Sequence, residues 1–324
     1  VSAILECRNL YQTFGGGRPL LGKAKPRIQA VSDVSLAIPQ GQTLGIVGES
    51  GCGKSTLGRM LAGLDKPTSG EILFRGQHLS QLLHDDPTQL RRKIQFVFQD
   101  PLSSLNPRKT IRQVLEAPLK HLLNKSRVER EQRIEELMRV VNLRPEFLDR
   151  YPHEFSGGQS QRIGIARALA AEAEVIVLDE PVSALDVSVQ AQILNLLREL
   201  KDKFNLTYLF ISHDLAVVEH LCDTVAVMYL GRVVEYAPRA ELFSRPRHPY
   251  TRVLLDSVPS QGRKAEQHVG LKGELPNPAN PPPGCAFEPR CEFAEKRCSE
   301  SRPPLQNLAG ERKAACFRVD EIKL

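Results

Sequence analysis

No stretch of this 324-residue chain approaches the roughly 20 consecutive apolar residues that a membrane-crossing helix needs. Its longest apolar runs, at residues 175–178 and 224–230, are far shorter, so the chain is not expected to form a membrane pore. Val1-Ser2-Ala3-Ile4 shows no charged stretch followed by an apolar one and a cleavage site, and the expected compartment is the cytosol. No self-similar period of about 20 to 50 residues is visible, which argues against a solenoid or propeller. A strong charge imbalance is also missing. The net charge is +6, and residues 127–139 (RVEREQRIEELMR) interleave both signs, which reads as a solvated helix face rather than a nucleic-acid groove. The basic stretch at residues 18–27 is the one local exception and is expected to be an exposed insertion between two strands, with a contact to anionic lipid head groups as the alternative.

What is present is an ordinary globular composition, 41% hydrophobic and 25% charged, with enough apolar material for a large core. Residues 4–10 and 31–38 alternate as half-buried strands, and the second ends at the turn Pro39-Gln40-Gly41-Gln42. Thr43-Leu44-Gly45-Ile46-Val47 reads as a buried strand feeding a glycine-rich loop. From about residue 100 to 148 the period becomes helical, with Ile134, Leu137, Met138 and Val141 on one face. Strand-like runs at 175–178, 206–212 and 224–229 alternate with helical stretches near 162–171 and 187–204, which predicts an α/β layer with a largely parallel sheet. Past Tyr250 the composition turns to proline (Pro276, Pro278, Pro281, Pro282, Pro283), the mark of a separate element on an extended tether. The expected division is a first domain at 1–250, with a helical subdomain at about 100–168, and an extension at 251–324.

Gly48-Glu49-Ser50-Gly51-Cys52-Gly53-Lys54-Ser55-Thr56 fits the phosphate-binding loop, with four variable residues between Gly48 and Gly53. Glycines let the backbone curl until successive N–H groups face phosphate oxygens, and the next helix points its positive end at the same anion. Lys54 adds a point charge for the β and γ phosphates, and Ser55 offers a hydroxyl to Mg²⁺. Downstream, the apolar run at 175–178 ends in Asp179 and Glu180, carboxylates at the C-terminal end of a strand where ligands of open sheets collect. Asp179 is expected to hold Mg²⁺ through water and Glu180 to polarise the attacking water. Alone, such a run is often just a strand end; with the phosphate loop it becomes a strong signal.

Between these pieces lies Phe155-Ser156-Gly157-Gly158-Gln159-Ser160-Gln161-Arg162, and here the chain resembles the ABC ATPase family. That resemblance implies a P-loop nucleotide-binding domain with a RecA-like core, an N-terminal antiparallel β subdomain and a helical insertion. It assigns Gln99 to the loop that senses the γ phosphate and Mg²⁺, and Ser183-Ala184-Leu185-Asp186 to the loop that joins two motors. It makes His213 the switch histidine and Phe14 the adenine-stacking aromatic, with Tyr11 as the alternative. In the family two motors dimerise head to tail, so Ser156, Gly157, Gly158 and Gln159 would grip the partner's ATP. Each motif occurs once here, which implies a partner chain. Ser160 stands where relatives tend to carry a longer polar or basic residue.

Toward the C-terminus, His248-Pro249-Tyr250-Thr251, Gly273-Glu274-Leu275-Pro276 and Pro281-Pro282-Pro283-Gly284-Cys285, with residues 101–108 and 186–197, resemble the ATPases of dipeptide and oligopeptide importers, their second ATPase subunit in particular. The implied setting is the cytosolic face of a bacterial inner membrane, beneath two transmembrane permease subunits fed by an extracytoplasmic binding protein. A nickel chelate, opine or sugar is the alternative cargo, and a soluble ABC ATPase of translation or repair the rival reading. The latter commonly fuses two motors or carries a long coiled coil, neither of which is visible here. A regulatory module that binds ATP without turning it over is the rival from another class, and Glu180 and His213 argue against it. Cys285, Cys291, Cys298 and Cys316 are separated by five, six and seventeen residues. Four such thiols in a reducing compartment suggest a metal. The resemblance implies a 4Fe–4S cluster that staples the extension; zinc, which favours closer pairs, and free thiols are the alternatives. Cys7 and Cys222 are expected to pack in the core.

Overall fold

The computed structural model describes residues 3–16, 26–257 and 274–322. The chain opens with β1 (Ala3–Phe14) and β2 (Ile28–Pro39), an antiparallel pair whose alternation turns Ile4, Leu10, Val34 and Ile38 inward. Next come β3 (Thr43–Val47), α1 (Lys54–Leu61), β4 (Ser69–Phe74) and β5 (Gln77–His78), and then α2 (Leu79–Asp85), α3 (Pro87–Lys93) and β6 (Ile94–Val97). β1, β2, β4 and β5 make a four-stranded antiparallel sheet in the order β2-β1-β4-β5.

The expected helical insertion follows as α4 (Ile111–His121), α5 (Arg127–Val140) and α6 (Gly157–Ala170). Each begins with a reciprocal cap: Thr110 with Gln113, Ser126 with Glu129, and Ser156 with Gln159. α5 buries Ile134, Leu137 and Met138 and exposes most of its charges, as the mixed-sign pattern predicts. β7 (Val175–Asp179), α7 (Val187–Phe204), β8 (Thr207–Ser212), α8 (Leu215–Leu221) and β9 (Thr224–Tyr229) complete the alternating layer. These three strands and β3 are buried along their whole length, which is why they read as unbroken apolar runs rather than alternating ones.

The chain then runs through β10 (Arg232–Pro238), α9 (Arg239–Ser244), α10 (Pro249–Asp256), α11 (Lys296–Glu300), β11 (Gln306–Asn307) and β12 (Lys313–Ala314). The eight-stranded sheet has the order β11-β12-β10-β9-β3-β8-β7-β6, with β9, β3, β8, β7 and β6 parallel. The expectation of a C-terminal element set apart on a tether needs revision here. β12 pairs with β10, and Phe287 is buried in the same core as Tyr229 and Tyr250. A short proline-rich segment has little core of its own and gains one by joining the sheet edge. Residues 18–25 of the basic stretch, and Gly273, lie outside the described residues. Among the described residues, no helix is long and apolar enough to cross a membrane.

Candidate functional site

Register decides what meets at one end of the sheet. Val47 pairs with Ser212, Asp179 with Ile211, and Val97 with Leu178, so β3, β6, β7 and β8 finish level. The residues leaving those strands (Gly48, Gln99 after Phe98, Glu180 and His213) therefore emerge side by side, at the carboxyl end where open α/β sheets bind ligands.

Gly48 to Gly53 curl between β3 and α1 with positive φ at Gly48, Gly51 and Gly53, and Gly53 caps the helix. Lys54 is buried, and its Nζ donates to the carbonyl oxygens of Gly48 at 2.7 Å and Glu49 at 3.0 Å, which holds the ammonium inside the loop's mouth. At the far side of the loop the Cys52 carbonyl accepts the Gly231 N–H at 2.8 Å. The Cys52 thiol is buried, and that burial pushes its pKa up, so it is a packing group; Cys7 and Cys222 are buried as expected. Thr56 follows within α1.

Ser55 Oγ donates to Asp179 Oδ1 at 2.9 Å. Burial raises the Asp179 carboxyl above its ordinary range, the Ser55 hydroxyl opposes the shift, and neighbouring Glu180 adds to it. Such a site gains from a cation. Glu180 has φ of +45°, a strained left-handed conformation for a non-glycine residue, held by its N–H on the Ile211 carbonyl at 2.9 Å. One carboxylate oxygen, Oε2, lies 3.1 Å from both Gln99 Nε2, which donates to it, and His213 Nδ1.

Of the remaining predicted residues, Ser183 bonds to the backbone of Glu180, while the Ser156–Gln159 cap stands apart from this group in its described hydrogen bonds. Ser156 and Gln159 bond each other: the Ser156 N–H donates to Gln159 Oε1 at 3.0 Å, and Gly157 beside them is exposed. Ser160 is buried, and its hydroxyl has no hydrogen-bond partner among the described residues. Ser183 Oγ donates to the Glu180 carbonyl at 3.1 Å, and Asp186 caps α7 by accepting from the Val189 N–H at 3.0 Å. Phe14 ends β1 and is 46% exposed, while Tyr11 is half-buried opposite Ser69.

Cys285, Cys291, Cys298 and Cys316 border one small cavity of about 20 Å³ together with His248. Burial pushes the Cys285 thiol up to about 11 and the Cys291 thiol up to about 12, and the other thiols of the set add to both shifts. The expected metal site is not formed among the described residues. Among the described residues, no three His, Cys, Asp or Glu side chains are gathered closely enough to hold a metal ion.

Two contacts on the loop went unread in the sequence. The Glu49 N–H donates to Tyr250 Oη at 2.9 Å, and Arg290 donates to both Glu49 carboxylate oxygens. The proline-bounded tetrad around Tyr250 was a signal, but nothing local points to a partner 201 residues away.

Comparison with known proteins agrees with this geometry. Residues 31–183 match the ABC transporter family, and residues 234–298 match the oligopeptide/dipeptide transporter C-terminal region. The oligopeptide transport ATP-binding protein AppF of Bacillus subtilis is 51% identical over 97% of this chain and 96% of its own length. The dipeptide transport ATP-binding protein DppF of Escherichia coli is 50% identical over 91% of this chain and 88% of its own. A solved dimeric ATP-binding cassette, in a post-hydrolysis state bound to ADP and Pi, superposes with a TM-score of 0.64 at 32% identity, covering 72% of this chain and 98% of that one. With the level strand ends, the phosphate loop and the C-terminal region all accounted for, the chain belongs to the ABC transporter family, in the group that carries the oligopeptide/dipeptide transporter C-terminal region.

Proposed function

We propose that this chain is an ATP-hydrolysing subunit of an importer for dipeptides or oligopeptides, working on the cytosolic face of the cell membrane. A second, homologous ATPase subunit, two permease subunits and an extracytoplasmic binding protein are its partners. The observation that carries the reading is the convergence of Gln99 and His213 on Glu180 Oε2, beside the Ser55–Asp179 pair and the phosphate loop.

In this reading the loop N–H groups and Lys54 bind the phosphates of ATP, and Phe14, an exposed residue, stacks on the adenine. Ser55, Asp179 and the Gln99 oxygen would hold Mg²⁺, which neutralises charge building on the phosphates. Glu180 accepts a proton from the attacking water. Gln99 and His213 fix which way its carboxylate faces, and low exposure of the Glu180 side chain (14%) keeps bulk water from competing. Ser156 to Gln159 open α6 at its positive helix end, with Gly157 exposed, suited to the γ phosphate held by a partner cassette. Exposed Ser183, Asp186 and Val187 form the surface on which that partner sits.

The test is Glu180→Gln, which keeps the hydrogen bonds but removes the base. ATPase activity of the assembled pair should fall about 100-fold or more while an ATP-bound dimer accumulates on size exclusion. Turnover at the wild-type rate would end this assignment.

The four C-terminal thiols are the ligand set of a 4Fe–4S cluster in the same reading, a staple for a segment poor in core. Their shared cavity supports it, since four thiolates are the complement that an iron–sulfur cluster needs. Anaerobically purified protein should contain about four iron and four labile sulfides per chain; zinc in place of iron would reassign the site.

A further inference from the structure

Glu49 is the second residue of the phosphate loop, and the C-terminal segment grips it twice. Its N–H is held by Tyr250 Oη at 2.9 Å. Its carboxylate takes both arms of one guanidinium, with Arg290 Nη1 donating to Oε2 at 2.9 Å and Nη2 donating to Oε1 at 3.0 Å. Arg290 Nη1 also donates to Tyr229 Oη at 3.2 Å. The pair is well shielded, with the Arg290 side chain 5% exposed and that of Glu49 20%. A forked pair of this kind fixes orientation as well as distance, because two parallel bonds forbid rotation of the carboxylate.

The mount is rigid. Arg290 ends the short 3₁₀ turn Glu288–Arg290 between Cys285 and Cys291, with its N–H on the Phe287 carbonyl at 3.0 Å and the Cys291 N–H on the Glu288 carbonyl at 3.1 Å. Phe287 is buried, its ring centroid 5.4 Å from those of Tyr229 and Tyr250. The other end of the clasp is a node of the loop: the Glu49 carbonyl accepts Lys54 Nζ at 3.0 Å and the Cys52 N–H at 3.3 Å. Whatever fixes Glu49 therefore fixes the path of the residues that follow it. Arg290 also cancels a carboxylate that would otherwise stand beside an incoming triphosphate.

We propose that Arg290 is a positioning residue for nucleotide binding: held in the C-terminal element, it sets Glu49, and with it the phosphate loop and Lys54, in the conformation that receives the triphosphate. The inference rests on the reading of this loop as the ATP site. Its signature is an effect on affinity without one on turnover, because Glu180, Gln99 and His213 follow other strands, and the described side-chain hydrogen bonds of Arg290 go to Glu49 and Tyr229.

The experiment measures binding of a fluorescent ATP analogue with Mg²⁺ to the full chain, and KM and kcat for ATP in the assembled ATPase. Arg290→Met should weaken binding about five- to tenfold and raise KM to match, with kcat within about twofold of wild type. Arg290→Lys, which keeps the charge but loses the fork, should fall between. In a Glu49→Gln background, where no carboxylate remains to be cancelled, Arg290→Met should have less than about a twofold effect. Unchanged affinity in folded Arg290→Met and Arg290→Lys overturns the proposal. So does an equal loss in both backgrounds, or a lower melting temperature with wild-type KM, since any of these makes the clasp a structural tie alone. Failure of the wild-type chain to bind the analogue, or wild-type binding by Lys54→Ala, would instead sink the reading of the loop itself.

Discussion

Gly53 stands where a side chain has no room. Its φ is +104°, and a Cβ there would lie 2.0 Å from the carbonyl oxygen of Ala30, a backbone atom that cannot swing away. Gly51, with φ of +81° and open space where a Cβ would go, meets only the backbone preference. Gly53→Ala should therefore lose about 2 kcal/mol or more in urea unfolding, and Gly51→Ala about 1 kcal/mol. Equal losses would show that sterics against Ala30 do not govern the loop. At this scale the sequence was most legible: Gly48, Gly53, Lys54 and Ser55 announce themselves by spacing alone. Glu180 was legible as a candidate, but its left-handed φ and its bonds to Gln99 and His213 were not, because they depend on three strands finishing level.

Among the elements, the turn into α10 shows how a short motif becomes structural. His248 caps the helix by accepting the Tyr250 N–H on Nδ1 at 3.1 Å, and its own N–H donates to the buried Glu235 carboxylate at 2.8 Å. Burial lowers the His248 pKa from 6.5 to about 4, so the folded protein keeps the ring neutral. Between those values the unfolded chain binds a proton that the native one does not. The stability gained from a neutral His248 is thus intact above pH 6.5 and drains away as pH falls toward 4. By pH 5 the loss is about 2 kcal/mol. Glu235 works the other way, since burial raises its carboxyl and acid relieves that strain. Subtraction isolates the histidine: between pH 7.5 and 5, wild type should lose about 2 kcal/mol more in urea unfolding than His248→Asn, which keeps a cap but does not titrate. Parallel losses would mean that His248 is already protonated when folded. The main helices were readable from their period, and α7 runs over Val187–Phe204 as its pattern predicts. The short β11 and β12 were not, because two-residue strands carry no period and exist only against β10.

Over the whole molecule, the eight-stranded sheet carries two kinds of information. Its parallel part holds the phosphate loop, Gln99, Glu180 and His213 at one end, and its edge receives the C-terminal segment that reaches back to Glu49. In the proposed assembly the outward placement of Ser156 and Gly157 suits one half of a pair, and for that reason the Glu180→Gln chain should accumulate as an ATP-bound pair rather than as monomer. By itself the sequence determined the phosphate loop, the acidic strand end, the main helical stretches and the alternating layer. Each is a local property, set by backbone freedom or hydrophobic period within a few residues. Only the tertiary structure decided that β3 lies between β8 and β9, that the extension joins the sheet instead of standing apart, and that Arg290 meets a carboxylate 241 positions earlier in the chain. Those contacts join distant segments through one shared core, and no local pattern encodes which surfaces will bury each other.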